Sequence, residues 1–149
     1  MAKKKLTKPK QILNRRALYD YSIEDSLIAG IELTGSETKN LRLGHGQLRG
    51  SYVSIKNSEL FLINATISGT GSIPISETGQ ARPRKLLVTK KELQKLIEAK
   101  QSGRSIVPIS IQTNSRYIKI KISIAKGKKK YDKREVNKKR DAERETKQR

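Results

Sequence analysis

Apolar residues recur along this chain with two periods. From 116 to 125, Ile118, Ile120, Ile122 and Ile124 alternate with Tyr117, Lys119, Lys121 and Ser123. That alternation predicts a strand with one core face and one basic outer face. Residues 106–111 are its expected partner, joined through a turn at Asn114-Ser115. Pro108 has no N–H to give to a ladder, so it marks an edge, a bulge or a strand end. Near the start, Tyr19, Tyr21 and Ile23 alternate with Asp20 and Ser22, a first short strand, and Ile31 and Leu33 flank Glu32 as a second. Residues 52–67 read as a hairpin turning at Asn57-Ser58.

The period lengthens in two places. Glu37 and Leu41, flanked by Thr38 and Arg42, predict a short helix capped by Thr34 or Ser36 and stopped by Gly44. Thr89 and Glu92 form a Thr-x-x-Glu capping box, and Leu93, Leu96, Ile97 and Lys100 follow at helical spacing. Between them, Gly69, Gly71 and Pro74 predict a loop running to about Pro83. The sum is mainly β: about six strands and two or three helices, without βαβ units of the usual length. A small, partly open barrel with helices at its ends fits that list.

Composition bounds the chemistry. With 149 residues, 34% of them hydrophobic, one Phe and no Trp, the chain builds one domain and one modest core. It has no Cys and one His, which excludes disulfides, thiol catalysis and multi-histidine metal centres. His45 lies between two glycines and reads as a loop residue. Neither a Gly-x-Ser-x-Gly elbow nor a Gly-x-x-x-x-Gly-Lys-Ser/Thr loop is present. No cofactor is expected, and the reading is of a binding protein, not an enzyme. No apolar run in the sequence is long enough to cross a membrane, and a cytoplasmic location is expected.

Thirty-four Lys and Arg against 14 Asp and Glu give a net +20, which favours a polyanionic partner. The charge is unevenly placed. Residues 1–16 carry seven basic and no acidic side chains, and residues 125–149 carry twelve basic and five acidic. The middle has a net of only +6 and most of the Ile, Leu and Val. The expected organisation is a basic arm over 1–13, an RNA-binding body over 14–125 and a basic tail over 126–149. Glu135 and Lys139, four apart, suit a tail that becomes helical on its partner.

Three clusters mix cations with aromatics or proline: Arg15, Arg16, Tyr19 and Tyr21; Arg82, Arg84 and Lys85 beside Pro83; and Lys126, Lys128, Lys129, Lys130, Lys133 and Arg134 around Tyr131. Guanidinium and ammonium groups supply phosphate contacts and aromatic rings supply stacking faces, which points to RNA.

Five segments in order carry a resemblance. They are Asn14-Arg15-Arg16-Ala17 with Tyr21-x-Ile23-Glu24; Ala29-Gly30-Ile31-x-Leu33-x-Gly35-x-Glu37-x-Lys39-x-Leu41-Arg42-x-Gly44; Ser51-Tyr52-Val53; Arg82-Pro83-Arg84-Lys85-Leu86-Leu87; and Ala125-Lys126-Gly127-Lys128-Lys129-x-Tyr131-Asp132-Lys133-Arg134-Glu135. The chain resembles the SsrA-binding protein family, SmpB, over nearly its whole length. The resemblance implies an oligonucleotide-binding-like barrel, closed or partly open, with embedded helices. It implies binding of transfer-messenger RNA and its delivery to stalled ribosomes for trans-translation, the protein standing where the anticodon arm of a transfer RNA would be.

Further implied partners are small-subunit rRNA and the elongation factor that carries aminoacyl-transfer RNA, with the protein a monomer. The tail is expected to be disordered when free and helical in the empty messenger channel. By the same resemblance, Tyr19 stands where many relatives have a His that helps bind RNA. Arg16, Glu37, Lys39 and Arg42 match positions at or supporting the RNA surface. Tyr131, Asp132, Lys133 and Arg134 match the segment near the decoding centre, and Lys138, Lys139 and Arg140 continue it into the channel. Gly79-Gln80 departs from the usual Asp-Pro pair, and Ala142 lies near the place of an aromatic in some relatives. The competing reading is a basic ribosomal or ribosome-assembly protein embedded in rRNA.

Overall fold

A computed structural model describes residues 11–114 and 116–128. Strand β1 (Gln11–Leu13) leads into helix α1 (Arg15–Asp20) and then β2 (Tyr21–Ile31). The alternation at Tyr19–Ile23 therefore belongs to two elements, and the two short strands expected over 19–33 are a helix followed by one long strand. Two causes hide this. Asn14 caps α1, its side chain accepting from Ala17 N–H at 3.2 Å, so the chain turns helical before the alternation begins. Within β2 the pairing to the last strand slips between Ile23 and Asp25, a bulge that breaks the period of two. The polar run Glu24-Asp25-Ser26 is part of this strand, its carboxylates answered by Arg104 at 2.9 Å and by Lys95.

Helix α2 (Gly35–Arg42) starts at Thr34 with a full capping box to Glu37, and the chain turns away through Gly44 at φ +90°. After β3 (Gly46–Gln47), strands β4 (Tyr52–Lys56) and β5 (Glu59–Ile63) form the expected hairpin. Its turn residues Asn57 and Ser58 both have positive φ, 51° and 60°, as a two-residue hairpin turn requires. The short β6 (Thr66–Ile67) pairs with β3, a single turn α3 (Glu77–Gln80) interrupts the loop, and β7 (Arg84–Leu87) follows. Helix α4 (Lys90–Gln101) begins at the Thr89–Glu92 box, and β8 (Ser105–Gln112) pairs with β9 (Lys119–Gly127) through a bulge between Pro108 and Ser110.

Seven strands make one antiparallel sheet in the order β1-β8-β9-β2-β7-β5-β4. The sheet curls so that β4 comes near β8, but no ladder joins them, so the barrel is open; closure is not what the structure shows. Nine strands, not six, are present among the described residues: the two expected over 19–33 become β2, and β1, β3, β6 and β7 are added, the first three being two or three residues long with no period of their own. Strand β7 lies inside a segment that reads as a basic cluster.

The core holds Leu41, Leu60, Leu62, Leu86, Leu96, Ile120 and Ile122, each at most 2% exposed, and each worth roughly 1.5–3 kcal/mol of burial. The even-numbered isoleucines of β9 all face it. The opposite face of β9 is only partly the basic surface expected. Lys119 is exposed, but Ser123 is buried and Ala125 packs with Ala17 of α1, Val107 and Ile109.

Candidate nucleic-acid interface

Helix α1 is six residues long and is anchored rather than self-supporting. Asn14 donates its backbone N–H to the Ile109 carbonyl at 2.8 Å and its Nδ2 to the Pro108 carbonyl at 2.9 Å. The β1–β8 ladder ends with Leu13 opposite Ser110, so Ile109 and Pro108 lie beyond it, where Asn14 meets them. Ala17 faces inward, which turns Arg15 and Arg16 to solvent with Tyr19 half-buried beside them. The Arg16 guanidinium lies 5.5 Å from the Tyr19 ring centroid and its Nε donates to Asp20 at 3.0 Å. Arg15, Arg16 and Tyr19 line one open groove with Arg49, a cation that sequence reasoning passed over.

The start of the tail meets the same surface. Lys126 pairs with Ser22 and Gly127 with Tyr21 at the end of the β2–β9 ladder. Lys128 donates its backbone N–H to the Asp20 carbonyl at 2.9 Å and its Nζ to the Leu18 carbonyl at 3.2 Å. Two clusters more than a hundred residues apart in sequence thus become one face. Lys129, Tyr131, Asp132, Lys133, Arg134, Lys138, Lys139 and Arg140 lie outside the described residues.

The second cluster is built differently. Arg84 is fully buried and cannot reach a ligand here, so its expected RNA contact is corrected to an internal one. Its Nε donates to Glu37 Oε2 at 2.7 Å, and its other nitrogens donate to the carbonyls of Ala65, Arg82, Gly79 and Gln80. Glu37 is 2% exposed and is likewise no surface residue. It also takes Arg82 in a two-nitrogen clamp, Nε to Oε2 at 3.2 Å and Nη2 to Oε1. Burial pushes the Glu37 carboxyl up. Hydrogen bonds from Arg82, the Thr34 N–H and Arg84, with the Arg84 charge, outweigh it and hold the group below the usual carboxylate range. Burial lowers the Arg84 guanidinium, and Glu37 opposes that shift.

Arg42 is also an internal brace, donating to the carbonyls of Thr113 at 2.9 Å and Arg116 at 2.8 Å, so it ties α2 to the β8–β9 connection. Lys39 is exposed on α2, and Lys85 is half-buried, 3.3 Å from Glu59.

A third surface was missed. Ile28 and Leu87 are 43% and 49% exposed. Gly30 stands opposite both Leu87 and Lys119, and Ile28 stands opposite Lys121, so these residues share one face of the sheet. A Cβ on Gly30 would sit 3.3 Å from the Leu87 Cβ, so the missing side chain lets Leu87 lie close over the strand. The result is an apolar strip bordered by two lysines. The sequence held half the signal, the basic outer face of β9, but the bulge in β2 concealed which neighbours that face would have. Among the described residues, no group of three or more His, Asp or Glu is placed to hold a metal.

Residues 11–149 match the model of the SmpB protein family. The chain belongs to the SmpB family. Its similarity to curated relatives is high over most of the length. It is 47% identical over 137 residues to the SsrA-binding protein of Paraburkholderia xenovorans, covering 89% of this chain and 90% of that one. It is 48% identical over 130 residues to the SsrA-binding protein of Paracoccus denitrificans, covering 86% and 83%. Among solved structures it is similar to a chain described under "tmRNA-SmpB: a journey to the center of the bacterial ribosome", at 38% identity and a TM-score of 0.66, covering 80% of this chain and 85% of that one. The mainly β architecture read from the alternation is that of an SmpB protein.

Proposed function

We propose that this chain binds transfer-messenger RNA and acts with it on stalled ribosomes in trans-translation. The observation that carries the reading is the joined surface of α1 and the tail's start, where Arg15, Arg16 and Arg49 line a groove with Tyr19, Lys128 is held on the Leu18 and Asp20 carbonyls, and Lys126 pairs with Ser22. Such a surface holds phosphates and stacks bases without catalysing anything. Membership of the SmpB family and the likeness to a chain from a tmRNA-SmpB study support the same RNA over a resident rRNA site.

The body over 14–125 grips the RNA with two surfaces, the α1 face and the Ile28–Leu87 strip with Lys119 and Lys121. The second cluster contributes Arg82 and Lys85 at its edge, while Arg84 and Glu37 support them from below. The arm over 1–13 adds charge. The tail from 126, with Tyr131, Asp132, Lys133 and Arg134 and then Lys138, Lys139 and Arg140, engages small-subunit rRNA at the decoding centre and messenger channel. The aminoacyl-transfer RNA elongation factor rides on the same RNA. Binding as a monomer, in the cytoplasm where ribosomes work, follows from that role.

The test is a gel-shift titration of the full chain with transfer-messenger RNA, an elongator transfer RNA and an unrelated RNA of equal length. Selective retention of transfer-messenger RNA is expected; equal affinity for all three overturns the reading.

A further inference from the structure

A cavity of about 310 Å³ opens between α1, the start of β4, the end of α4 and β8. Its floor is apolar: Ala17, Val53, Ile106 and Val107 are all buried. Its walls carry Tyr21, which is half-buried, and Tyr52, which is 45% exposed. Arg16, Asp20 and Lys100 supply the charged part of the lining. Arg16 is committed to Asp20 at 3.0 Å, and Lys100 is exposed in the last turn of α4.

We propose that this cavity receives one unpaired nucleotide of the bound RNA, its base against Tyr21 and Tyr52 and its phosphate toward Lys100. The inference rests on the reading of the chain as an RNA-binding protein and adds a site to it. Three observations converge. The volume is at the small end of ligand pockets, too small for a helix or strand of a partner and suited to a single nucleotide. An apolar floor with aromatic walls and a cation at the rim matches the parts of a nucleotide, because an unstacked base needs a flat apolar contact and its phosphate a positive charge. The position is the third. Arg16 lines both this cavity and the groove shared by Arg15, Tyr19 and Arg49, and the Asp20 carbonyl holds Lys128. A phosphate backbone running along that groove passes the mouth of the cavity.

A free mononucleotide has the same chemistry, so the test separates the two sources. The full chain, with labelled methyl and Tyr groups, is titrated by NMR with adenosine 5′-monophosphate, with ribose 5-phosphate, and then with the transfer RNA-like domain of transfer-messenger RNA. The mononucleotide is expected to shift Tyr52 and the Val53 and Val107 methyls, and ribose 5-phosphate to leave them in place. The RNA is expected to reproduce the shifts and to displace the mononucleotide. Tyr52→Ala should weaken mononucleotide binding at least about fivefold, the lower end of what a stacked base contributes, while Tyr52→Phe retains it. Lys100→Ala, at an exposed helix end, should weaken it too and guards against a folding effect in the first variant. RNA bound at full affinity with the Val53 and Val107 signals unmoved overturns the proposal, as does a mononucleotide that stays bound at RNA saturation. Failure to bind the RNA at all overturns the functional reading instead.

Discussion

Glu37 sits where a basic protein can least spare an acid, beneath two arginines and sealed from water. It closes the capping box of α2 through the Thr34 N–H at 2.9 Å and receives both Arg82 and Arg84, so one carboxylate fixes a helix start and two cations together. Glu37→Gln keeps the shape but leaves the Arg84 charge buried without an anion. A loss of about 3 kcal/mol is expected, read in thermal unfolding as a drop of roughly 6–12 °C. An unchanged melting temperature would remove the pair from any structural role. The sign of the pH dependence follows from the depressed native pKa of Glu37. Its contribution is complete above the ordinary glutamate value of about 4.3 and is lost as pH falls through the lower native value. Acid unfolding of the variant should therefore lack the component that wild type shows below that value. Family resemblance marks Glu37 and Arg42 as part of the RNA surface or its support, and the geometry makes both of them support. A sequence motif does not say whether a charged residue faces water, and only the burial of Arg84 reveals that its cluster faces two ways.

Helix α1 shows how an element with weak intrinsic stability is placed by others. Six residues are too few to hold a helix in water, and Asn14 makes up the deficit with three hydrogen bonds, two of them to β8. Asn14→Ala removes a cap worth about 1 kcal/mol and leaves the Pro108 carbonyl without its partner at a similar cost. A total near 2 kcal/mol is expected, with faster amide exchange over 15–20 and weaker RNA binding as Arg15, Arg16 and Tyr19 lose their mount. Thr89→Ala on α4 is the comparison: it costs about 1 kcal/mol and should leave RNA affinity as it was. If both variants bind RNA equally well, α1 is not the mount of the interface. The same element marks the limit of the sequence. The Thr89–Glu92 capping box, the Asn57-Ser58 turn and the β9 isoleucines were legible because each rests on residues close in sequence. Helix α1 was not, because the Pro108 carbonyl that anchors its Asn14 cap lies 94 residues away, and β2 was not, because a bulge is specified by both strands. The joining of α1 to Lys128 is of the same kind, decided by a ladder and not by a motif.

Across the whole molecule, charge and recognition are divided. Residues 1–16 and 125–149 hold most of the net +20, while the folded middle carries little net charge and most of the placed side chains. Binding to the RNA should then have two separable parts. Residues 131–149 contain eight basic and five acidic side chains, so a chain ending at 130 still carries a net +17. Its affinity for transfer-messenger RNA should stay close to that of the full chain, because the grooves of the body and the start of the tail are intact. Its salt response should also persist: if about six phosphates are neutralised, raising salt from about 50 to 200 mM weakens binding roughly 10³-fold in both chains. Tagging in a reconstituted system with ribosomes stalled at a message end should be lost, since the groups assigned to the decoding centre and channel are gone. The two measurements answer different questions. A truncated chain that tags but no longer binds free RNA would reverse the division of labour between body and tail. A truncated chain that loses both, with a flattened salt slope, would mean that the tail's cations, and not the shaped body, hold the RNA.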